Sequence, residues 1–121
     1  MNKKNILIVD DDNRNIFALS AVLRSKGFVV VSAPSAVEGL QLLKTNRNIH
    51  VVLMDIMMPG MDGYEAISQI RSDPSIAGTP VIAVTAQAMV GDREKSLEAG
   101  ADAYISKPVD IDGLLDLLNK Y

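Results

Sequence analysis

Five short apolar runs, separated by stretches with helical periodicity, are the feature of this sequence that most restricts its fold. They lie at 6–9, 28–31, 51–54, 81–84 and 103–105. Each run is continuous rather than alternating, as expected for strands that are covered on both faces. Strands that alternate with helices predict a parallel sheet built from βαβ units. We therefore expect an α/β fold of the (βα)5 type, a doubly wound sheet of five parallel strands with helices on both faces.

Capping signals mark the starts of the first three helices. Asp12 precedes the first apolar-periodic segment and is expected to be an N-cap. Ser35 begins a second helix with capping-box spacing, and Asp62 begins a third in the same way. Val37 is expected to begin the apolar stripe of the second helix, and Asp73 to end the third because a proline follows it.

The last two helices differ in their apolar content. The fourth, expected over about 88–99 and closed by Gly100, is mostly polar, so we expect it to be the least firmly seated helix. The fifth, from Asp110, carries more leucine and isoleucine than one narrow buried face needs. Part of its surface is therefore expected to serve a partner protein.

Length, charge and composition exclude several classes of function. The 121 residues are expected to form one domain, 1–121, with no output module fused to it. A net charge of −3 with scattered lysines and arginines argues against direct DNA binding. No apolar run approaches the ~20 residues of a membrane span, and no secretory signal is recognised. The absence of cysteine excludes disulfides and thiolate metal sites and favours a cytoplasmic location.

Polar residues follow four of the five predicted strands within one or two positions. They are the three aspartates Asp10, Asp11 and Asp12, then Asp55, Thr85 and Lys107. Ligands of open α/β sheets bind beyond the carboxyl ends of the strands, so these side chains are expected to share one edge. The second strand instead ends in Ser32 and Ala33, which are expected to form a plain turn at the margin of the sheet.

The residue types at this edge suit phosphoryl transfer. Clustered carboxylates repel one another unless a cation intervenes, and an all-oxygen ligand set favours Mg²⁺. A hydroxyl and an ammonium group add the donors that a phosphoryl group requires. Asp55 is the lone acid at the end of a central strand, so its carboxylate is the expected nucleophile and would form an aspartyl phosphate.

In four segments the sequence resembles the receiver domains of bacterial two-component response regulators. The segments are ILIVDD at 6–11, MDIMMPGMDG at 54–63, VTA at 84–86 and YISKP at 104–108. Their order and separation make the resemblance specific, although each alone is a weak signal. The resemblance implies a flavodoxin-like sheet with strand order 2-1-3-4-5.

The resemblance also implies a role for each acidic residue. Asp10 and Asp11 are the pair that holds Mg²⁺, with Asp11 the direct ligand and Asp10 acting partly through water. Asp55 is the phosphoacceptor and a metal ligand, and the backbone carbonyl of Met57 completes the metal shell. The side chains of Met57 and Gln87 occupy positions that tune the phosphoryl lifetime. A bulky Met57 cannot orient an attacking water, so we expect slow to moderate self-dephosphorylation.

Phosphorylation is expected to act as a switch. The resemblance implies that Thr85 and Lys107 contact the phosphoryl oxygens and that a cis Lys107-Pro108 bond directs the lysine to the site. Tyr104 turns inward when Thr85 is drawn towards the phosphoryl group. The surface formed by helix four, strand five and helix five (α4-β5-α5) is thereby rebuilt.

The implied partners are signalling proteins. A histidine kinase or a histidine phosphotransfer protein donates the phosphoryl group. The domain then acts either as a binding switch for a downstream target or as a relay intermediate, with a homodimer through α4-β5-α5 as a further candidate assembly. The segment 85–95 is similar to receivers of hybrid histidine kinases, which favours the relay. In either case the domain catalyses only its own phosphorylation and dephosphorylation.

One enzymatic alternative shares part of the pattern. A phosphatase of the haloacid dehalogenase type would use Asp10 as its nucleophile, but Arg14 departs from that motif and Asp55 is left unexplained. An EF-hand starting at Asp11 fails because its sixth and twelfth positions are Ile16 and Val22. No P-loop or Rossmann glycine motif is present.

Overall fold

The computed structural model describes residues 4–46, 48–85 and 91–121. Strands and helices alternate throughout. The elements are β1 (Asn5–Val9), α1 (Asn13–Ser25), β2 (Val29–Ala33), α2 (Ala36–Thr45), β3 (Ile49–Asp55), α3 (Gly63–Ser72), β4 (Val81–Thr85), α4 (Asp92–Ala99), β5 (Ala103–Ser106) and α5 (Ile111–Lys120). Each expected strand is present, and all five extend at least one residue beyond the apolar run that predicted them, although β2 begins at Val29 rather than at Phe28.

The five strands form one parallel sheet in the order β2-β1-β3-β4-β5. This confirms both the expected order and the position of β2 at the margin. The expected turn at Ser32 and Ala33 is wrong, because these residues pair with Ile8 and Val9 inside β2. Pairing of their backbones with β1 outweighs the weak strand preference of serine and alanine.

The core consists of two apolar layers, one on each face of the sheet. Leu7 and Val9 belong to the layer under α2 and α3, whereas Ile6 and Ile8 belong to the layer under α1 and α5. All four are at most 2% exposed. Burial on both faces explains why the strand sequences are continuous apolar runs.

The helix starts agree with the capping signals. The side chains of Asp12, Ser35 and Asp62 each accept a backbone N–H from the first turn of α1, α2 and α3 respectively. Asp73 ends α3 before the proline, as expected. The expectation for Val37 is wrong: it is 51% exposed, and α2 packs on the sheet through Ala36 and residues one turn further on.

α4 and α5 differ as expected in how firmly they pack. Leu114 and Leu118 of α5 are fully buried. In α4 the buried residue is Ser96, and the helix ends at Gly100, whose φ is +116°. The expected first residues of this helix, 88–90, lie outside the described residues. Among the described residues, no helix is both long enough and apolar enough to cross a membrane.

Candidate functional site

The structure brings the expected polar residues together at the carboxyl edge of the sheet. Asp10, Asp55 and Thr85 are buried, with 3%, 3% and 2% of their surface exposed, at the ends of β1, β3 and β4. Asp11 is exposed beside them. Lys107 follows β5 and reaches the same edge, and its bond to Pro108 is cis, as expected.

Gly63 allows α3 to start directly beneath Asp55. The Gly63 amide donates a hydrogen bond to the carbonyl oxygen of Ile56 at 3.0 Å. A Cβ at position 63 would lie 2.5 Å from the carbonyl oxygen of Asp55 and 2.6 Å from Cα of Ile56. Only glycine permits this close approach of the helix to the strand, which fixes the backbone that carries Asp55.

Three donors hold the carboxylate of Asp10. Its Oδ1 accepts the backbone N–H of Asp12 at 2.9 Å. Its Oδ2 accepts both Asn15 Nδ2 at 2.6 Å and Lys107 Nζ at 3.1 Å. Asn15 was missed from the sequence, although its position five residues after Asp10, in the first turn of a capped helix, is a signal that could have found it.

Asp55 has weaker contacts than Asp10. Its Oδ1 accepts the backbone N–H of Met57 at 3.2 Å, and its Oδ2 lies 3.7 Å from Lys107 Nζ. Burial, reinforced by the negative charge of Asp10, raises the pKa of Asp55 from 3.8 to about 6, although Lys107 opposes the shift. The carboxylate is therefore mostly ionised at neutral pH but at a cost in free energy.

The acidic cluster fits a hard divalent cation. Carboxylate oxygens of Asp10, Asp11 and Asp55 all lie within 4.8 Å of one another. Three carboxylates face one lysine, so negative charge is in excess. An all-oxygen set of this kind suits Mg²⁺. The donor set and the electrostatic need therefore agree.

Thr85 and Lys107 are held next to each other by the sheet. The carbonyl oxygen of Thr85 accepts the backbone N–H of Lys107 at 2.7 Å, and Thr85 pairs with Ser106 in the ladder between β4 and β5. Lys107 Nζ contacts both Asp10 and Asp55. The sheet therefore places the backbone of Thr85 next to Lys107, whose side chain reaches the acidic cluster.

Of the remaining expected residues, Met57 and Tyr104 lie within the described part of the chain. The side chain of Met57 is 56% exposed and lines a shallow cavity of ≈ 410 Å³ with Met58 and Tyr64. Tyr104 is half-buried, and burial, with smaller effects from Asp92 and Tyr64, raises its pKa. Gln87 lies outside the described residues, so the expected phosphoryl lifetime stays a prediction.

The fold and the site together define an α/β protein with a metal-competent acidic cluster at the edge of its sheet. The family model for the response regulator receiver domain matches residues 6–119. The chain belongs to this family and is therefore a signalling domain of the two-component type.

Curated and structural relatives support the same family. The polar-differentiation response regulator DivK of Brucella anthropi is 32% identical over 118 residues, covering 98% of this chain and 95% of the relative. The receiver domain of sensor histidine kinase PA1611 of Pseudomonas aeruginosa, solved with a magnesium ion in its active site cleft, is 33% identical. The match has a TM-score of 0.89 and covers 99% of this chain and 98% of the PA1611 chain.

A further similar structure contains a phosphotransfer partner. It is the receiver domain of the Saccharomyces cerevisiae response regulator Ssk1, crystallised with the histidine phosphotransfer protein Ypd1. Identity is 29%, the TM-score is 0.87, and the match covers 98% of this chain and 88% of that one.

Proposed function

We propose that this receiver domain takes a phosphoryl group from a phosphohistidine onto Asp55. The observation that carries the proposal is the position of Lys107 Nζ, 3.1 Å from Asp10 and 3.7 Å from Asp55, within a buried acidic cluster. One cation placed between two carboxylates can also pair with an anion attached to one of them. The donor is a histidine kinase or a histidine phosphotransfer protein, as in the Ssk1 complex.

Transfer consists of one bond made and one broken. A carboxylate oxygen of Asp55 attacks phosphorus, and the bond from phosphorus to the donor imidazole nitrogen breaks. The nitrogen keeps the electron pair and binds one proton from the buffered solution, so that the transfer takes up one proton overall and leaves a neutral histidine. Because the pKa of Asp55 is about 6, its carboxylate is mostly ionised at pH 7, and the ionised form needs no general base.

The neighbouring residues bind the transferred group and compensate its charge. Lys107 pairs with one phosphoryl oxygen, and the hydroxyl of Thr85 donates to another. Asp10, Asp11, Asp55 and the backbone carbonyl of Met57 would hold Mg²⁺, which supplies compensating positive charge when it is bound. The buried position of Asp55 and Thr85 limits access of water to the acyl phosphate.

The expected output is a change in the α4-β5-α5 surface. Thr85 ends β4. Tyr104 lies half-buried in the adjacent strand β5 and pairs with Ala83 of β4. Movement of Thr85 towards the phosphoryl group would open space for the ring of Tyr104. A binding switch and a relay intermediate both remain in agreement with these features. If the domain is a binding switch, a downstream target protein or a second copy of the domain would bind to the α4-β5-α5 surface.

Labelling by a small phosphodonor tests the proposal. Wild-type protein incubated with acetyl phosphate and Mg²⁺ should gain one phosphoryl group by intact mass, and Asp55→Asn should gain none. Asp116→Asn, which alters an exposed aspartate of α5, serves as the matched control and should label normally. Labelling of Asp55→Asn at the wild-type level would place the acceptor elsewhere. Turnover of p-nitrophenyl phosphate that depends on Asp10 would instead support the phosphatase alternative.

A further inference from the structure

The buried carboxylate of Asp10 accepts two side-chain donors at one oxygen. Its Oδ2 accepts Asn15 Nδ2 at 2.6 Å and Lys107 Nζ at 3.1 Å, and its Oδ1 accepts only the backbone N–H of Asp12 among the bonds described. A buried acceptor needs at least one partner. Either donor alone would satisfy Oδ2, so one of the two hydrogen bonds is redundant there.

Asn15 is fixed in place by the same short segment. Asp12 caps α1, and its Oδ1 accepts the backbone N–H groups of Arg14 at 3.0 Å and Asn15 at 3.4 Å. The backbone N–H of Asp12 in turn donates to Asp10. Asp10, Asp12 and Asn15 therefore form a closed local network, in which the amide of Asn15 has little freedom to leave Asp10.

Lys107, by contrast, is divided between two carboxylates. Its Nζ lies 3.1 Å from Asp10 and 3.7 Å from Asp55, at the end of a flexible four-carbon chain. In the proposed function this ammonium pairs with a phosphoryl oxygen on Asp55. That pairing must weaken its contact with Asp10.

We propose that Asn15 is a positioning residue that keeps Asp10 hydrogen-bonded when Lys107 turns to the phosphoryl group. The inference rests on the proposed function and adds a residue to it. In the resting protein Lys107 and Asn15 are redundant donors at Oδ2. In the phosphorylated protein Asn15 remains as the side-chain donor, so its contribution is larger there than in the resting state.

Removal of Asn15 should therefore slow phosphorylation more than it weakens the resting protein. For Asn15→Ala and the similarly sized Asn15→Leu, we expect the maximum rate of labelling by acetyl phosphate at saturating Mg²⁺ to fall roughly tenfold, because a buried acceptor loses a donor on the way to the product. The Mg²⁺ dissociation constant, measured by calorimetry without phosphodonor, should change less than about threefold, since Lys107 still holds Asp10. Asn13→Ala, an exposed residue of the same turn, is the matched control.

A double-mutant cycle separates this role from a merely structural one. In the Lys107→Ala background, adding Asn15→Ala leaves Oδ2 of Asp10 without either side-chain donor. There the substitution of Asn15 should weaken Mg²⁺ binding and lower the stability to urea in EDTA clearly more than it does in the wild-type background. Wild-type labelling rates in Asn15→Ala, or equal effects of that substitution on Mg²⁺ binding and unfolding in both backgrounds, would overturn the inference. Loss of labelling in Asp55→Asn accompanied by either of those results would reject the role of Asn15 and leave the proposed function intact.

Discussion

The two helices that flank the acidic site, α1 and α4, are held in opposite ways. α1 begins at an aspartate that caps it and packs Leu19 and Leu23 into the core. α4 begins at Gly91, which has a φ of +94° and provides no side-chain cap. Of the eight residues of α4, all of them described, Ser96 alone is buried. Apolar packing and capping therefore hold α1 in place, whereas α4 depends on polar contacts that can be exchanged.

Two attachments from α3 compensate for the poor packing of α4. The guanidinium of Arg71 donates to the carbonyl oxygen of Gly100 at 2.9 Å, directly after α4, and also binds Asp102 at 2.8 Å. Lys95 Nζ lies 5.2 Å from the centre of the Tyr64 ring. One end of the helix is therefore held by Arg71, and contacts of this kind can be broken without opening a cavity in the core.

The largest expected effect distinguishes one leucine in each helix. Leu23 of α1 is fully buried and Leu97 of α4 is 41% exposed. Leu23→Ala should lower the free energy of unfolding by about 2–5 kcal/mol, because it leaves a cavity, and Leu97→Ala by less than about 0.5 kcal/mol. Urea denaturation of both variants measures the difference. Equal losses would show that α4 packs as firmly as α1.

Removal of the Arg71 attachment should have the next largest effect. Besides Gly100 and Asp102, the guanidinium binds the carbonyl oxygens of Ala77 and Thr79 at 2.8 and 2.6 Å. We expect Arg71→Ala to lower the free energy of unfolding by about 2–3 kcal/mol, since several acceptors lose a charged donor. Amide hydrogen exchange should accelerate in α4 and around Gly100 while α1 stays protected. Arg93→Ala, an exposed arginine in α4 itself, is the control. Uniform loss of protection in both helices would contradict the proposed local attachment.

The charge at the site should make the metal-free protein less stable as pH rises. The folded-state pKa of Asp55 is about 6 against 3.8 for an unperturbed aspartate, so folding takes up a proton between these values. The stability that the protonated form provides is fully present below pH 3.8 and is lost as pH rises through 6. Two pKa units correspond to a ceiling of about 3 kcal/mol.

Asp55→Asn removes this titration and should isolate its effect. In EDTA at pH 7 we expect the variant to be more stable than wild type by about 1–2 kcal/mol, below the ceiling because the amide still needs hydrogen-bond partners. The advantage should shrink towards zero near pH 4. Thermal unfolding at several pH values measures it, and Asp116→Asn provides the comparison at an exposed position. A constant difference between Asp55→Asn and wild type at all pH values would contradict the raised pKa.

The sheet and most of the site could be predicted from the sequence because both depend on short-range patterns. Continuous apolar runs followed by Asp10, Asp55, Thr85 and Lys107 place those residues at one edge of a parallel sheet without further information. Val37 was wrongly assigned because its apolar character alone does not say whether the sheet extends beneath it.

The contacts that connect distant elements could not be predicted in this way. Arg71 binds Gly100 and Asp102, about thirty positions later in the chain, and nothing in the local pattern of α3 distinguishes it from a surface arginine. The Nδ1 of His50 likewise accepts the backbone N–H of Asn5 at 2.9 Å, where the pairing of β1 and β3 changes register. Such contacts become visible only when the elements are packed together.

The smallest expected effect concerns the contact of Lys95 with the ring of Tyr64. Because the ammonium is exposed, Lys95→Met, which keeps an unbranched side chain one atom shorter but removes its charge, should lower the free energy of unfolding by only about 0.5 kcal/mol. Lys95→Arg retains a cation over the ring and should lie within experimental error of wild type. Hydrogen exchange in α4 is the sensitive measurement, since a contact this weak changes local opening more visibly than global unfolding. If α4 is held by polar attachments, Lys95→Met should add to Arg71→Ala in accelerating that exchange. If α4 exchanges at the same rate in Lys95→Met as in wild type, and at the same rate in the double variant as in Arg71→Ala, then Arg71 alone holds the helix.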